Sequence, residues 1–194
     1  MLPSDKTLKK MRVRSTLVLL LATVFLMLAA EVVAWRVQTD GGLVEVSNVT
    51  YPNYNGIPIR AKLFRHTAIT AGNPGPGAVY THGYQNNRET SDAYCIEMAR
   101  RGFVMLCIDA IGRGNSGIPN DVNDPTFDPS YGVQTSLQYL RDLPFVDEIR
   151  TGLMGHSLGA EMSYDVALND PAVQAIVISG FAYTDEASTR NPKN

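Results

Sequence analysis

The chain has 194 residues, 44% apolar and 19% charged, with a formal net charge of −2. Those proportions fit one globular domain with at most an appendage and exclude a disordered or fibrous chain. The near-neutral charge offers no global field for nucleic acid, so no such partner is expected. Two cysteines, Cys95 and Cys107, are too few for a disulfide scaffold and lack CxxC spacing; both fall in segments expected to be buried. No metal site, redox role or cofactor is therefore expected.

The N-terminus is a different material from the rest. Lys6, Lys9, Lys10, Arg12 and Arg14 form a basic flank over residues 1–14, and an uncharged stretch runs from Ser15 to Ala30. That stretch falls short of the ~20 residues a helix needs to cross a bilayer. Continuing past Glu31 to Trp35 reaches the required length, with Glu31 at the far interface and Trp35 in the aromatic belt. Residues 15–35 are thus expected to be a transmembrane anchor. The competing reading is a secretory signal peptide cut after Val32-x-Ala34. In both readings the basic flank stays cytoplasmic and the remainder, residues 36–194, is exported, either tethered to the membrane or secreted.

From about Gly41 the pattern is that of a soluble domain. "LVEVSNVTYP" and "GIPIRAKLFRH" alternate around a turn-rich "PNYNG", which predicts an antiparallel hairpin. "TAGNPGPG" (70–77) reads as a loop. Strands and helices then alternate: strand 78–81, helix 89–102 with Tyr94, Cys95, Met98 and Ala99 on one face, and strand 103–108. A helix over 130–143, a strand over 150–157, a helix over 158–169 and a strand over 173–179 follow. This rhythm predicts an α/β fold, a doubly wound and mostly parallel sheet of about six strands preceded by one hydrophobic helix. The irregular segment 115–132 reads as a solvated surface loop that could border a site. Its Asp121-x-Asn123 falls short of a calcium loop because Pro125 stands where the third ligand belongs. Asn48-Val49-Thr50 is formally a glycosylation acceptor.

Chemistry concentrates in Gly155-His156-Ser157-Leu158-Gly159, which closes an apolar strand and opens a helix. A sharp strand-to-helix turn forces a serine into a strained backbone and lifts its Oγ to the helix N-terminus, where the dipole favours negative charge. Gly155 and Gly159 are expected where the turn brings backbone too close for a Cβ. An oxyanion needs two backbone donors. The N–H of Leu158, directly after the serine, is one; Tyr84, in the loop "THGYQNN" (81–87), is placed to supply the other.

Three motifs in this order, His82-Gly83-Tyr84, Asp109-x-x-Gly112-x-Gly114-x-Ser116 and Gly155-x-Ser157-x-Gly159, resemble those of the α/β-hydrolase superfamily. Within it, the chain is most similar to dienelactone-hydrolase-like and prolyl-oligopeptidase-like serine hydrolases. The resemblance covers about Val44 to Asn194. It implies Ser157 as nucleophile, Tyr84 and Leu158 as oxyanion donors, and an acid and a histidine base after the serine.

All three histidines, His66, His82 and His156, precede Ser157 and are expected to cap or pack. Asp185 and Glu186 stand one strand before the place of the family's acid. The family's sheet has eight strands and only six are expected here, with the apolar "AIVIS" left as a bare edge. The chain is therefore expected to be the front portion of a longer protein: a membrane-anchored serine hydrolase cleaving an ester, thioester or amide of a small-molecule or peptide-like substrate. The alternative is a non-catalytic binding or sensing domain that keeps the turn for structural reasons.

Overall fold

A computed structural model describes residues 5–181. The chain divides into two units between Gly42 and Leu43. In the first, helix α1 (Asp5–Gln38) runs unbroken through both the basic flank and the apolar stretch. At 1.5 Å per residue its 34 residues extend about 51 Å. It is the one helix among the described residues long and apolar enough to cross a membrane. Thr39 ends it: its N–H and hydroxyl both donate to the Trp35 carbonyl (2.9 and 2.7 Å), and its Oγ accepts from Gly42 N–H (3.0 Å).

The second unit is built on a six-stranded sheet. Its strands are β1 (Val44–Pro52), β2 (Pro58–His66), β3 (Gly75–Thr81), β4 (Val104–Ile108), β5 (Val146–His156) and β6 (Val173–Ser179). Their order is β1-β2-β4-β3-β5-β6. β1 and β2 form an antiparallel hairpin, β2 runs antiparallel to β4, and β4, β3, β5 and β6 are parallel. Helix α2 (Asp92–Arg100) covers one face; α3 (Val133–Arg141) and α4 (Leu158–Asn169) cover the other.

Alternation along the strands sorts the core into two layers. Phe64, Ala78, Tyr80, Met105 and Cys107 pack on Cys95, Ile96 and Ala99 of α2. Val79, Leu106, Ile108 and Leu153 pack on Val133, Leu137 and Leu140 of α3 and Met162 and Val166 of α4. Every residue of β4 is buried, which explains why its sequence is continuously apolar. Each such Leu, Ile or Met contributes about 1.5–3 kcal/mol by leaving water. β6 is an edge strand with Ile176 and Val177 exposed.

Several expectations need correction. Gly75 to Gly77, read as loop, begin β3: Gly75 N–H donates to Phe145 O (3.0 Å), and a Cβ there would press on Ile69 and the Gly102 carbonyl. β5 starts at Val146, not 150, pairing first with Gly75 before its register shifts. α2 starts at Asp92 because a 3₁₀ turn, Arg88–Ser91, precedes it, capped by Asn87 Oδ1 accepting from Glu89 N–H (3.0 Å).

α3 starts at Val133 because Tyr131 (φ 49°) and Gly132 (φ 95°) are left-handed. That conformation is set by buried Asp128, which accepts from Ser130 N–H (3.0 Å), Ser130 Oγ (2.7 Å), Gly132 N–H (3.1 Å) and Asn53 Nδ2 (3.2 Å). The 115–132 segment is therefore not solvated throughout: Asp128 and Ser130 are buried, while residues 121–126 are exposed and Asp121 closes a local turn there by accepting from Asn123 N–H (2.8 Å). Tyr94 is exposed, stacked on Tyr80, and Ile96 takes the buried place expected of it. Cys95 and Cys107 form a disulfide joining α2 to β4.

Candidate active site

At the carboxyl edge of the sheet β5 turns into α4 through a single residue, Ser157, with φ 53° and ψ −117°. A non-glycine residue there is strained, by roughly 1–3 kcal/mol. The turn is held because Ser157 N–H donates to Ser179 O on β6 (2.8 Å), and Ser157 O accepts from Ala160 and Glu161 N–H (2.9 and 3.1 Å). A Cβ on Gly155 would run into the Gly159 carbonyl, and one on Gly159 into the carbonyls of Thr81 and His82. Glycine at both positions is what lets strand and helix meet this closely. Ser157 is exposed, and Leu158, next to it, is the first residue of α4. N–H groups at a helix start have no partner within the helix.

The loop after β3 stands beside this turn. A Cβ on Gly83 would lie 3.4 Å from Ser157 Cβ and 3.3 Å from His156 Cδ2. His82 is buried beneath the loop. Its Nε2 faces the Ala110 N–H (3.2 Å), so the proton sits on Nδ1, which donates to Gly83 O (2.8 Å). Burial holds the His82 pKa below the ordinary imidazole value. The Gly83 bond and Asp109 oppose that shift, and Arg113 adds to it. The ring is a neutral brace between two loops. Tyr84 follows with an exposed ring; the Arg113 guanidinium lies over it at 4.3 Å and its Nε donates to Tyr84 O (2.8 Å).

Asp109 ties the next loop in. Its buried carboxylate accepts from Arg88 N–H (2.8 Å), Arg88 Nη1 and Asn115 N–H (2.9 Å). A Cβ on Gly114 would overlap that carboxylate. Ser116 Oγ donates to Asp109 O (2.7 Å) and accepts from Arg60 N–H (2.9 Å). The structure thus gathers Tyr84, Gly155, Ser157, Leu158 and Gly159 at one edge, with His82 and Asp109 as internal props.

The other histidines sit elsewhere. His66 Nδ1 caps the end of β2 by accepting from Ala68 N–H (3.1 Å). His156 is exposed, with its ring beside Gly83 and Gly180 and its Nδ1 3.1 Å from Ser179 Oγ. Among the described residues no hydrogen bond joins a histidine to Ser157 Oγ. Asp170 is occupied by Arg141 (2.6 Å). Burial would raise its pKa, but the Arg141 and Ala172 hydrogen bonds prevail and hold it low. Asp185 and Glu186 lie outside the described residues. No group of three or more His, Cys, Asp or Glu able to hold a metal occurs among the described residues. Sequence reasoning missed Arg88 and Arg113; the only hint was their nearness to the His-Gly-Tyr and Gly-x-Gly motifs.

Six strands in this order, with a strained serine between strand and helix and a His-Gly loop beside it, define an α/β hydrolase by fold. A crystal structure of the hypothetical protein PA2218 from Pseudomonas aeruginosa superimposes with a TM-score of 0.64 at 27% identity, covering 77% of this chain and 46% of that one. Acetyl xylan esterase 1 from Thermoanaerobacterium sp. JW/SL YS485 superimposes with a TM-score of 0.55 at 22% identity, covering 69% and 47%. In sequence, the chain is 29% identical over 113 residues to the Escherichia coli (strain K12) protein YcjY, covering 58% of this chain and 34% of that protein. Residues 29–190 match the family model of the FrsA-like esterases, and the chain belongs to that family. It spans about a third of the length of the curated relatives it matches, 34% of YcjY and 37% of PA2218.

Proposed function

We propose that the protein is a serine esterase that works through an acyl-enzyme on Ser157. The observation that carries this reading is the left-handed backbone of Ser157 at an exposed strand-to-helix turn, with Gly83 and Tyr84 alongside. Ser157 Oγ attacks the carbonyl carbon of an ester, and the charge that develops on the carbonyl oxygen is held by the N–H groups of Tyr84 and Leu158. The alcohol leaves with a proton, and water then hydrolyses the acyl-serine, returning the hydroxyl. A histidine base and its orienting carboxylate come from residues outside those described. The 115–132 segment, with Ile118 and Val122 exposed, borders the acyl or leaving-group side. The substrate class is a small-molecule ester, with thioesters and amides open to the same chemistry.

The basic flank and α1 support a membrane-anchored protein with the hydrolase unit on the extracytoplasmic side. The Cys95–Cys107 disulfide favours the same side, because such bonds persist in oxidising compartments. The test is labelling of the full-length protein by a fluorophosphonate probe. Wild type should label and Ser157→Ala should not. Labelling that survives the substitution removes Ser157 from the mechanism, and a wild type that never labels leaves the binding-domain reading in its place.

A further inference from the structure

We propose that Arg113 is a positioning residue for the oxyanion site, acting through the main chain of Tyr84; the proposal rests on the serine-esterase reading above. A peptide unit is planar, and its C=O and N–H point to opposite sides. The Tyr84 N–H therefore points away from Gly83 O, and Gly83 O is held from behind by His82 Nδ1 (2.8 Å) and Asn86 N–H (3.1 Å). That fixes one of the two peptide planes meeting at Tyr84 Cα.

The second plane carries Tyr84 O, and Arg113 holds it. Nε donates to Tyr84 O (2.8 Å), Nη1 donates to Gly112 O (2.9 Å), and the guanidinium lies over the Tyr84 ring at 4.3 Å. Arg113 thus grips Tyr84 by main chain and ring while anchored to its own loop. No carboxylate forms an ion pair with Arg113 among the described residues. With the Gly83–Tyr84 peptide held only at its carbonyl, the exposed tyrosine would still rock about that anchor and carry its N–H with it; pinning Tyr84 O on the far side of Cα removes that motion. An oxyanion donor is effective only when fixed before the charge develops, since a donor that must reorient loses the advantage over water. Arg113 supplies that preorganisation without touching the reacting atoms, and its positive charge adds to the field at the oxyanion.

The experiment compares wild type, Arg113→Ala, Arg113→Gln and Arg113→Lys in the full-length protein, using p-nitrophenyl acetate turnover, inhibition by phenylboronic acid and the thermal midpoint. Loss of an oxyanion donor costs about 10²–10³ in kcat; misaiming one should cost about tenfold. Arg113→Ala should lower kcat about tenfold with KM within twofold, and phenylboronic acid, which mimics the tetrahedral adduct, should bind about tenfold more weakly. Arg113→Gln, which keeps a donor for Tyr84 O, and Arg113→Lys, which keeps the charge, should each recover part of the loss. Tyr84→Ala removes the ring but keeps the main-chain oxygen that Arg113 holds, so adding Arg113→Ala to it should lower kcat severalfold further. A rise in KM at constant kcat would mean direct contact with substrate and overturn the proposal, as would unchanged kcat and boronate affinity. Should Arg113→Ala fail to fold, the Gln and Lys variants give the same readouts. If Ser157→Ala abolishes fluorophosphonate labelling while the Arg113 variants match wild type, only the positioning role falls; if Ser157→Ala still labels, the esterase reading falls and takes this proposal with it.

Discussion

Ser157 and His82 show opposite ways in which a single residue at this site sets stability. Ser157 holds a left-handed backbone at φ 53°, a strain of roughly 1–3 kcal/mol. Glycine would relieve it at a cost of about 0.5–1 kcal/mol in unfolded-chain entropy. Strain relief is the larger effect, so Ser157→Gly should raise unfolding free energy by about 1 kcal/mol in urea titration while abolishing probe labelling. A destabilised Ser157→Gly would mean that the turn is not strained. His82 acts through its proton. Burial, against the Gly83 bond and Asp109, keeps its folded pKa below the unfolded value of 6.5. The unfolded chain therefore binds a proton that the folded one refuses, and stability rises with pH between the folded pKa and 6.5. This contribution is complete above 6.5 and fades as pH falls through the folded pKa. The urea midpoint of wild type should drop from pH 7 to pH 5 more steeply than that of His82→Asn, and parallel curves would show that His82 is not held neutral.

At the scale of elements, α2 and β4 are joined by the Cys95–Cys107 bond across a sequence separation of 12. Closing a loop of that size removes unfolded-state entropy worth about 3 kcal/mol. The double variant Cys95→Ala/Cys107→Ala should therefore unfold at lower urea, with stability reduced by about that amount. A loss below about 1 kcal/mol would show that the bond adds little beyond packing already present. The bond was not legible in the sequence, because neither residue advertises which helix turn faces which strand position. Periodicity did locate α4 at Leu158–Asn169 and the fully apolar β4, since both obey burial rules that each segment carries by itself. It failed where backbone is set from a distance. The start of α3 depends on Asp128 reaching both Asn53 and Gly132, and the start of β3 on Gly75 meeting Phe145. The site divides in the same way. The strand–turn–helix around Ser157 could be read from glycine spacing, whereas the Arg113–Tyr84 grip joins residues 29 apart through stacking that no local pattern encodes.

For the molecule as a whole, the question is which compartment receives the sheet unit, and α1 and the Cys95–Cys107 disulfide bear on it independently. A helix of about 51 Å exceeds the ~30 Å hydrocarbon core. Its surplus on the N-terminal side carries Lys9, Lys10, Arg12 and Arg14. Positive charge beside a span sets its orientation by staying cytoplasmic, whereas acidic residues contribute little. Replacing these four residues with Gln should therefore leave insertion intact and let a fraction of chains insert with the sheet unit inside. Arginine in place of Leu20 or Phe25 costs about 2.5–3.5 kcal/mol near the helix centre and should instead release the protein from the membrane. The two cysteines report the outcome directly, because the bond forms outside and stays reduced within. After acid quench, denaturation and thiol alkylation, the wild-type chain should carry no label on Cys95 or Cys107, and the four-Gln variant should carry label in proportion to its inverted fraction. That labelled fraction should also be the more easily digested one, having lost the ~3 kcal/mol that the bond contributes. Full alkylation of the wild type would place the sheet unit in the cytoplasm and reverse the orientation argued from the basic flank.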